Sequence, residues 1–306
     1  MRRWPLEKAL TSPTRFTDPH AVDLWDSQFR WRSGHRLCDR TIDATWQRVA
    51  TALADREGEE CAYWRSRYAF AFGQWQLLPD PRLLRFAGTD MPVPALREPI
   101  AAVNAAAFVA DSHTRRARFD HQRFGAAAAV AVRMLDDAAI AFGPDDDPSM
   151  RFGIGMIGLG DALASLGLAY DSAQAIRAAQ AIARSLAMGC LHGSLKMAQE
   201  RGDRRGDRCG QGGQGLAELW RNRALPAELA EAVARNHRHE GLTRIDGFSE
   251  LARLANGASD GFDPSKDALH DSLGAASVDR QTAQRAIRGA VAPWIDAQPQ
   301  TSPLQA

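Results

Sequence analysis

The chain has 306 residues, 45% of them hydrophobic, and its 38 basic and 37 acidic side chains leave a formal charge of +1 at pH 7. Such a length supports a sizeable core in one or two domains. The even charge balance argues against a general nucleic-acid or anionic-membrane binder, which needs a basic surplus. No run of about 18 apolar residues exists, so no span is expected, and the start MRRWPLEKAL lacks the apolar core of a secretory signal. Cys38, Cys61, Cys190 and Cys209 are scattered without CxxC or Cys/His spacing. Reduced thiols in a cytoplasmic protein are therefore expected, rather than zinc or a disulfide framework.

Residues 1–20 contain Pro5, Pro13 and Pro19 and read as an irregular arm. An N-terminal helical region, 21–89, follows. Ser33-Gly34 marks a turn, and Thr41 can cap a helix through Trp46, Val49, Ala50 and Leu53. A second helix, 59–74, carries Tyr63, Trp64, Tyr68, Phe70 and Phe72 and ends before Pro79 and Pro81. Aromatics beside arginines could stack on bases; core packing is favoured, because most fall on helical faces.

A central region, 90–202, is expected to be helical with remnant strands. Asp120 is a good N-cap for an Ala/Val-rich helix through Ala141, too apolar to be fully exposed. The stretch Gly143 to Pro148 breaks it, and Asp145, Asp146 and Asp147 read as a solvated loop rather than a cation site. Next comes Gly153-x-Gly155-x-x-Gly158, on its face a dinucleotide fingerprint. That reading needs a buried strand just before the first glycine, where this chain has three acids and Pro148. Gly153, Gly155 and Gly158 are instead read as packing glycines, which let backbone pass close to neighbours. A short helix over 157–166, a turn at 167–171 and a long helix over 172–201 follow.

Residues 203–215 are polar, rich in Gly and Arg, and read as a flexible loop. Beyond them lies a C-terminal helical region, 216–298, with short helices at 216–223 and 226–236, and a disordered tail, 299–306. His237 and His239 are at i, i+2 and do not share a helical face, which disfavours metal; His192 reads as packed or surface. No G-x-S-x-G, H-E-x-x-H or P-loop occurs.

Several segments share a resemblance. TIDATWQRVATALA with WQLLPDPRLLRFAGT, the Val103-Asn104-Ala105 to Val109 segment, and RFGIGMIGLGDALASLGLAYDS are three of them. RIDGFSELARLANGASDGFDP and DRQTAQRAIRGAVAPWID complete the set. In this order they resemble the large (α) chain of ribonucleotide reductases, most of all the adenosylcobalamin (vitamin B12)-dependent class, in blocks 22–89, 100–202, 242–264 and 279–296. The resemblance implies a family that reduces ribonucleotides for DNA synthesis, through a thiyl radical on a finger-loop cysteine and a dithiol.

None of those cysteines can be carried over. A block is missing between Thr89 and about Pro99, and the finger-loop segment, Arg97-Glu98-Pro99-Ile100, has no cysteine. At the expected substrate-phosphate loop, Gly247, Ser249 and Glu250 form the remnant. Asp246 and Glu250 would put carboxylates at the helix N-terminus and repel phosphate. The expected fold is mainly α with an α+β remnant: a bundle-like helical periphery with short strands at 84–88, 100–109 and 242–246. The expected protein has no catalytic residue, no metal and no retained cofactor. It acts as a binding, regulatory or structural partner, in a homodimer or with a full-length reductase, and binds neither nucleic acid nor membrane. The alternative is an active or divergent vitamin B12-dependent ribonucleoside-diphosphate reductase that uses adenosylcobalamin.

Overall fold

A computed structural model describes residues 15–144, 151–202, 225, 227–235, 238–239, 241–264 and 277–296. Expectations for the first fourteen residues, the three acids 145–147, the 203–215 loop, the 216–223 helix, Cys209, His237 and the 299–306 tail lie outside them.

Asp18 opens the first helix, α1 (Pro19–Leu24), by accepting from the His20 amide, and a wider turn over Trp25–Phe29 continues it. The hairpin β1 (Arg32–Ser33) and β2 (Arg36–Leu37) turns at Gly34, whose φ is +56°. Thr41 caps α2 (Ile42–Ala54), and α3 (Cys61–Gly73) packs on it. Trp46, Trp64, Tyr68 and Phe72 are buried between them, whereas Tyr63 and Phe70 face outward.

The segment expected as a strand at 84–88 is helical instead. Asp80 accepts from the Arg82 amide and Pro81 sits in the first turn of α4 (Pro81–Phe86), a start signal that outweighs the apolar run. The strand lies just before it, as β3 (Leu77–Pro79). Asp80 is itself buried, and its other oxygen accepts from Ile100 N, fastening α4 to the start of β4 (Ile100–Asn104). A small hairpin, β5 (Val109–Ala110) with β6 (Arg118–Phe119), leads to α5 (His121–Phe142), capped by Asp120.

The glycine string is not a turn before a helix. Arg151–Ile157 is a seven-residue strand, β7, buried from Phe152 onward. Phe152, Ile154 and Met156 alternate with glycines, so each face of the strand is either apolar or bare backbone. Gly158, with φ +68°, turns the chain into α6 (Leu159–Ser165), and Ser172 caps the 29-residue α7 (Ala173–Arg201). Next come α8 (Ala227–Arg235), β8 (Gly241–Thr243), α9 (Ser249–Leu254) and α10 (Ser277–Val291).

The main sheet has the order β3-β4-β7-β8; β3 is antiparallel to β4, while β4, β7 and β8 run parallel. The described fold is thus mainly helical with few short strands, and its strands do not close into a barrel. Its centre is a β4–α5–β7–α7–β8 succession. Two crossovers that each step one strand along the same sheet bring their helices side by side and pointing the same way. The paired residues show it: Gly125 meets Gly189, Ala129 meets Gly193, Asp136 and Asp137 meet Arg201.

The Ala/Val-rich α5 therefore hides its apolar surface on α7 and the sheet. At Gly189 the helices come so close that a Cβ would overlap the Gly125 carbonyl. Alanine is the better helix former by about 1 kcal/mol, yet Gly189→Ala is expected to destabilise the fold by about 1–3 kcal/mol through overpacking. Gly289→Ala, on α10 with open space around it, should leave stability unchanged or raise it. Urea unfolding of the two variants checks the contrast.

Candidate functional site

The carboxyl ends of parallel strands are where such sheets bind ligands, and here they bring together the loops after β4, β7 and β8. At the end of β4, Asn104 Oδ1 accepts from Ala106 N at 3.2 Å. A Cβ on Gly158 would overlap that same oxygen, so only glycine fits the turn. The first turn of α6, which would otherwise offer free N–H groups, is covered by the Ser259 segment. Gly158 N donates to Ser259 O at 2.8 Å, Ser259 N to Asp161 Oδ2 at 2.7 Å, and Asp161 N to Ser259 Oγ at 3.3 Å.

Three residues before Gly158, the Phe248 ring occupies the space that a Gly155 side chain would fill. Gly153 lies between Ile100 and Arg244, so all three glycines of the string mark close approaches.

The Gly247, Ser249 and Glu250 segment lies beside them. Gly247, with φ +100°, carries the chain from β8 into α9. The Ser249 hydroxyl donates to the Asp260 carboxylate, Glu250 takes the guanidinium of Arg85, and Asp246 pairs with Arg288 at 3.2 Å. Arg85 and Arg288 are thus paired with carboxylates, while the half-buried Arg244 guanidinium stands beside Gly247, and the first turn of α9 carries the charge of Glu250. A phosphate would meet like charge and filled space there.

Sequence reasoning missed a second constellation, sealed in the interior. Asp136 and Asp137, adjacent on α5, have no exposed surface. Asp136 accepts from Arg238 Nε at 2.7 Å, Arg201 at 2.5 Å and His239 Nε2 at 3.2 Å. His239 Nδ1 lies 2.8 Å from Ser194 Oγ, so the ring gives its Nε2 proton to Asp136 and accepts from the serine. Asp137 accepts from Arg201 at 2.6 Å and from the Tyr68 hydroxyl at 2.5 Å. Glu57, from the turn before α3, receives two nitrogens of Arg133, at 2.5 and 2.6 Å, and Arg201 at 2.8 Å.

The two neighbouring acids titrate in opposite directions. Burial opposes charge on Asp136, but His239 and Arg238 outweigh it and hold that carboxyl well below the usual range. Burial pushes Asp137 up to about 7, and the nearby Glu57 charge adds to the rise against the pull of Arg201 and Tyr68. His239 is kept neutral chiefly by burial. The cluster has no path to substrate among the described residues. What it does is clamp α5, α7, the Glu57 turn and the Arg238-His239 segment together, since buried carboxylates are tolerated only with such partners.

The described cysteines stand elsewhere. Cys38 and Cys61 are half-buried in the N-terminal helical region, and Cys190 is fully buried in α7, its thiol pushed well up by burial. No group of three or more His, Cys, Asp or Glu able to hold a metal occurs among the described residues, and none of their helices is long and apolar enough to cross a membrane. His192 is exposed on α7.

Asp137 sets a pH dependence. Its carboxyl keeps a proton up to about 7 in the folded chain and loses it near 3.8 when unfolded. Its contribution to stability is therefore complete below 3.8 and is lost as pH rises through about 7. Relative to Asp137→Asn, the natural chain should lose stability between about pH 4 and about pH 7 and level off above. Urea unfolding across that range measures it; a constant difference between the two proteins would refute the assignment.

Residues 99–242 match the sequence model of the family described as ribonucleotide reductase, barrel domain. That segment contains β4, α5, β7 and α7 and reaches β8. Two curated relatives are the vitamin B12-dependent ribonucleoside-diphosphate reductases of Mycobacterium tuberculosis strains CDC 1551 / Oshkosh and ATCC 25618 / H37Rv. Each is 33% identical over 110 residues, a match that covers 34% of this chain and 15% of the relative's length. With the parallel strands of the matched segment and the glycine-bearing β7 at its centre, this chain is similar over that segment to the ribonucleotide reductase large chain.

Proposed function

We propose that this protein does not reduce nucleotides and serves as a binding, regulatory or structural partner in the cytoplasm, in a homodimer or with a full-length reductase. The observation that carries the reading is the filled carboxyl end of the sheet. Phe248 lies on Gly155, Ser259 covers the first turn of α6, and Glu250 puts a paired carboxylate at the phosphate side. A phosphate site at a helix start works through free N–H groups and an absence of competing negative charge; here Ser259 and Asp161 take up the first turn of α6, and the carboxylates of Glu250 and Asp260 stand at the start of α9.

The cysteines add support. The family reaction implied by the resemblance runs through a loop thiol and a dithiol. Cys190, in contrast, is enclosed in a helix with its thiol held protonated by burial, and Cys38 and Cys61 lie in the N-terminal helical region. The reductases this chain resembles are vitamin B12-dependent by name. A corrin ring needs a broad open face, and the described loops at the carboxyl end of the sheet pack on one another instead. They do not fit adenosylcobalamin.

Turnover of a ribonucleoside diphosphate by the purified chain with adenosylcobalamin and a dithiol is the test. The expected result is no deoxyribonucleotide, with Cys190→Ser indistinguishable from the natural chain. Product that disappears in a cysteine variant would establish the divergent reductase instead. Light scattering should find a homodimer, or, failing that, a complex when a full-length reductase is added; a chain that stays monomeric in both would remove the partner role.

A further inference from the structure

Away from the sheet, the outer surface between α5 and α7 holds an open groove of about 540 Å³. Its floor is Gly125, Ala129 and Gly189, where the two helices come too close to carry larger side chains, and the exposed Ala126 and half-buried Ala181 flank it. From His121 to Ala129 on α5 and Ala181 to His192 on α7, the helical rise gives a trough roughly 12–16 Å long.

Donors outnumber acceptors among the polar groups on its walls. Arg184 is exposed, stands 5.8 Å from the Trp294 ring and enters no ion pair with a carboxylate among the described residues. His121 is held toward its neutral form by burial, against the pull of Asp120 beside it, and its Nδ1 lies 2.9 Å from Ser185 Oγ. The Ser185 hydroxyl donates to Ala181 O, so its oxygen accepts the Nδ1 proton of His121, and the other ring nitrogen is left as an acceptor. His192 and Gln122 add further donors and Met188 a polarisable thioether. No carboxylate lines the groove.

We infer that this trough binds a small planar aromatic molecule with one terminal carboxylate or phosphate. The ring would lie on the glycine–alanine floor against Met188, and the anion would meet Arg184. Volumes of 300–1,000 Å³, largely apolar walls and a few placed polar groups are usual for such ligands. The single permanent cation sets the single charge, and the floor's lack of side chains sets the flatness. A partner helix also fits glycine-rich seams, but a helix about 10 Å across would rest on the rims of a trough this small and leave the floor unfilled.

The site is independent of whether the chain reduces nucleotides. Calorimetric titration with naphthyl phosphate and naphthoate tests it, with naphthol and inorganic phosphate as partial ligands. Each aromatic anion should bind one per chain, at least about tenfold more tightly than either partial ligand. Arg184→Gln should weaken the anions about tenfold and leave naphthol unchanged. Ala126→Trp, an exposed position whose new ring fills the trough, should abolish binding while the circular dichroism spectrum stays the same. A preference for one anion over the other would tell phosphate from carboxylate. Equal affinity for naphthol, unchanged binding to the Ala126→Trp variant, or no saturable heat from either anion would overturn the proposal. So would an Ala126→Trp variant that turns a dimer into a monomer, since a second copy would then fill the groove.

Discussion

Everything in the central part of this molecule follows from two helices forced into line. Because β4, β7 and β8 are parallel neighbours, α5 and α7 run the same way over the sheet and touch along their length. At one end the contact is bare backbone, Gly125 on Gly189. At the other it is ionic, with Asp136 and Asp137 gripping Arg201. The two ends are complementary. The close approach removes the water that would otherwise solvate the carboxylates, and the carboxylates fix the register that lets glycine meet glycine.

That arrangement explains why a pair of acids can sit with no exposed surface in an otherwise apolar helix. Desolvating a carboxylate costs several kcal/mol unless cations and hydrogen bonds replace the water. Asp136 receives three such partners. Asp137 receives one arginine and a phenol, with Glu57 competing for the same arginine, so it is the one that keeps a proton. Glu57 stays charged because Arg133 serves it with two nitrogens. Ion-pair chemistry, rather than apolar area alone, decides how the turn before α3 joins the helix pair.

Capping residues made most of the helices legible in the sequence. Thr41, Asp120 and Ser172 stand at the N-caps of α2, α5 and α7. The strands were harder to read. β7 hides because glycine contributes nothing to an apolar count, although the alternation of Phe152, Ile154 and Met156 carried the period of two. The strand that the resemblance placed at 84–88 is a helix up to Phe86, started by Asp80 and Pro81. At the candidate site, the opposing charge of Asp246 and Glu250 could be read directly, but their arginine partners could not: Arg85 is 165 residues from Glu250 in sequence. The acidic pair on α5 was also visible, as two carboxylates amid alanine and valine. Its partners, Arg201, Arg238 and Tyr68, become neighbours only after folding.

The outer strand of the sheet carries one more consequence. The Asp296 carboxylate accepts from the main-chain N–H groups of Leu242 and Thr243, at 3.0 and 3.1 Å, and Thr243 Oγ1 accepts from Asp296 N at 2.8 Å. In a larger assembly of parallel strands, backbone from the next strand would take up such donors. A side chain does so here, placed by the segment that follows α10. A piece of parallel sheet thereby ends in a blunt edge rather than a sticky one, and a visiting chain is turned toward the molecule's helical flanks.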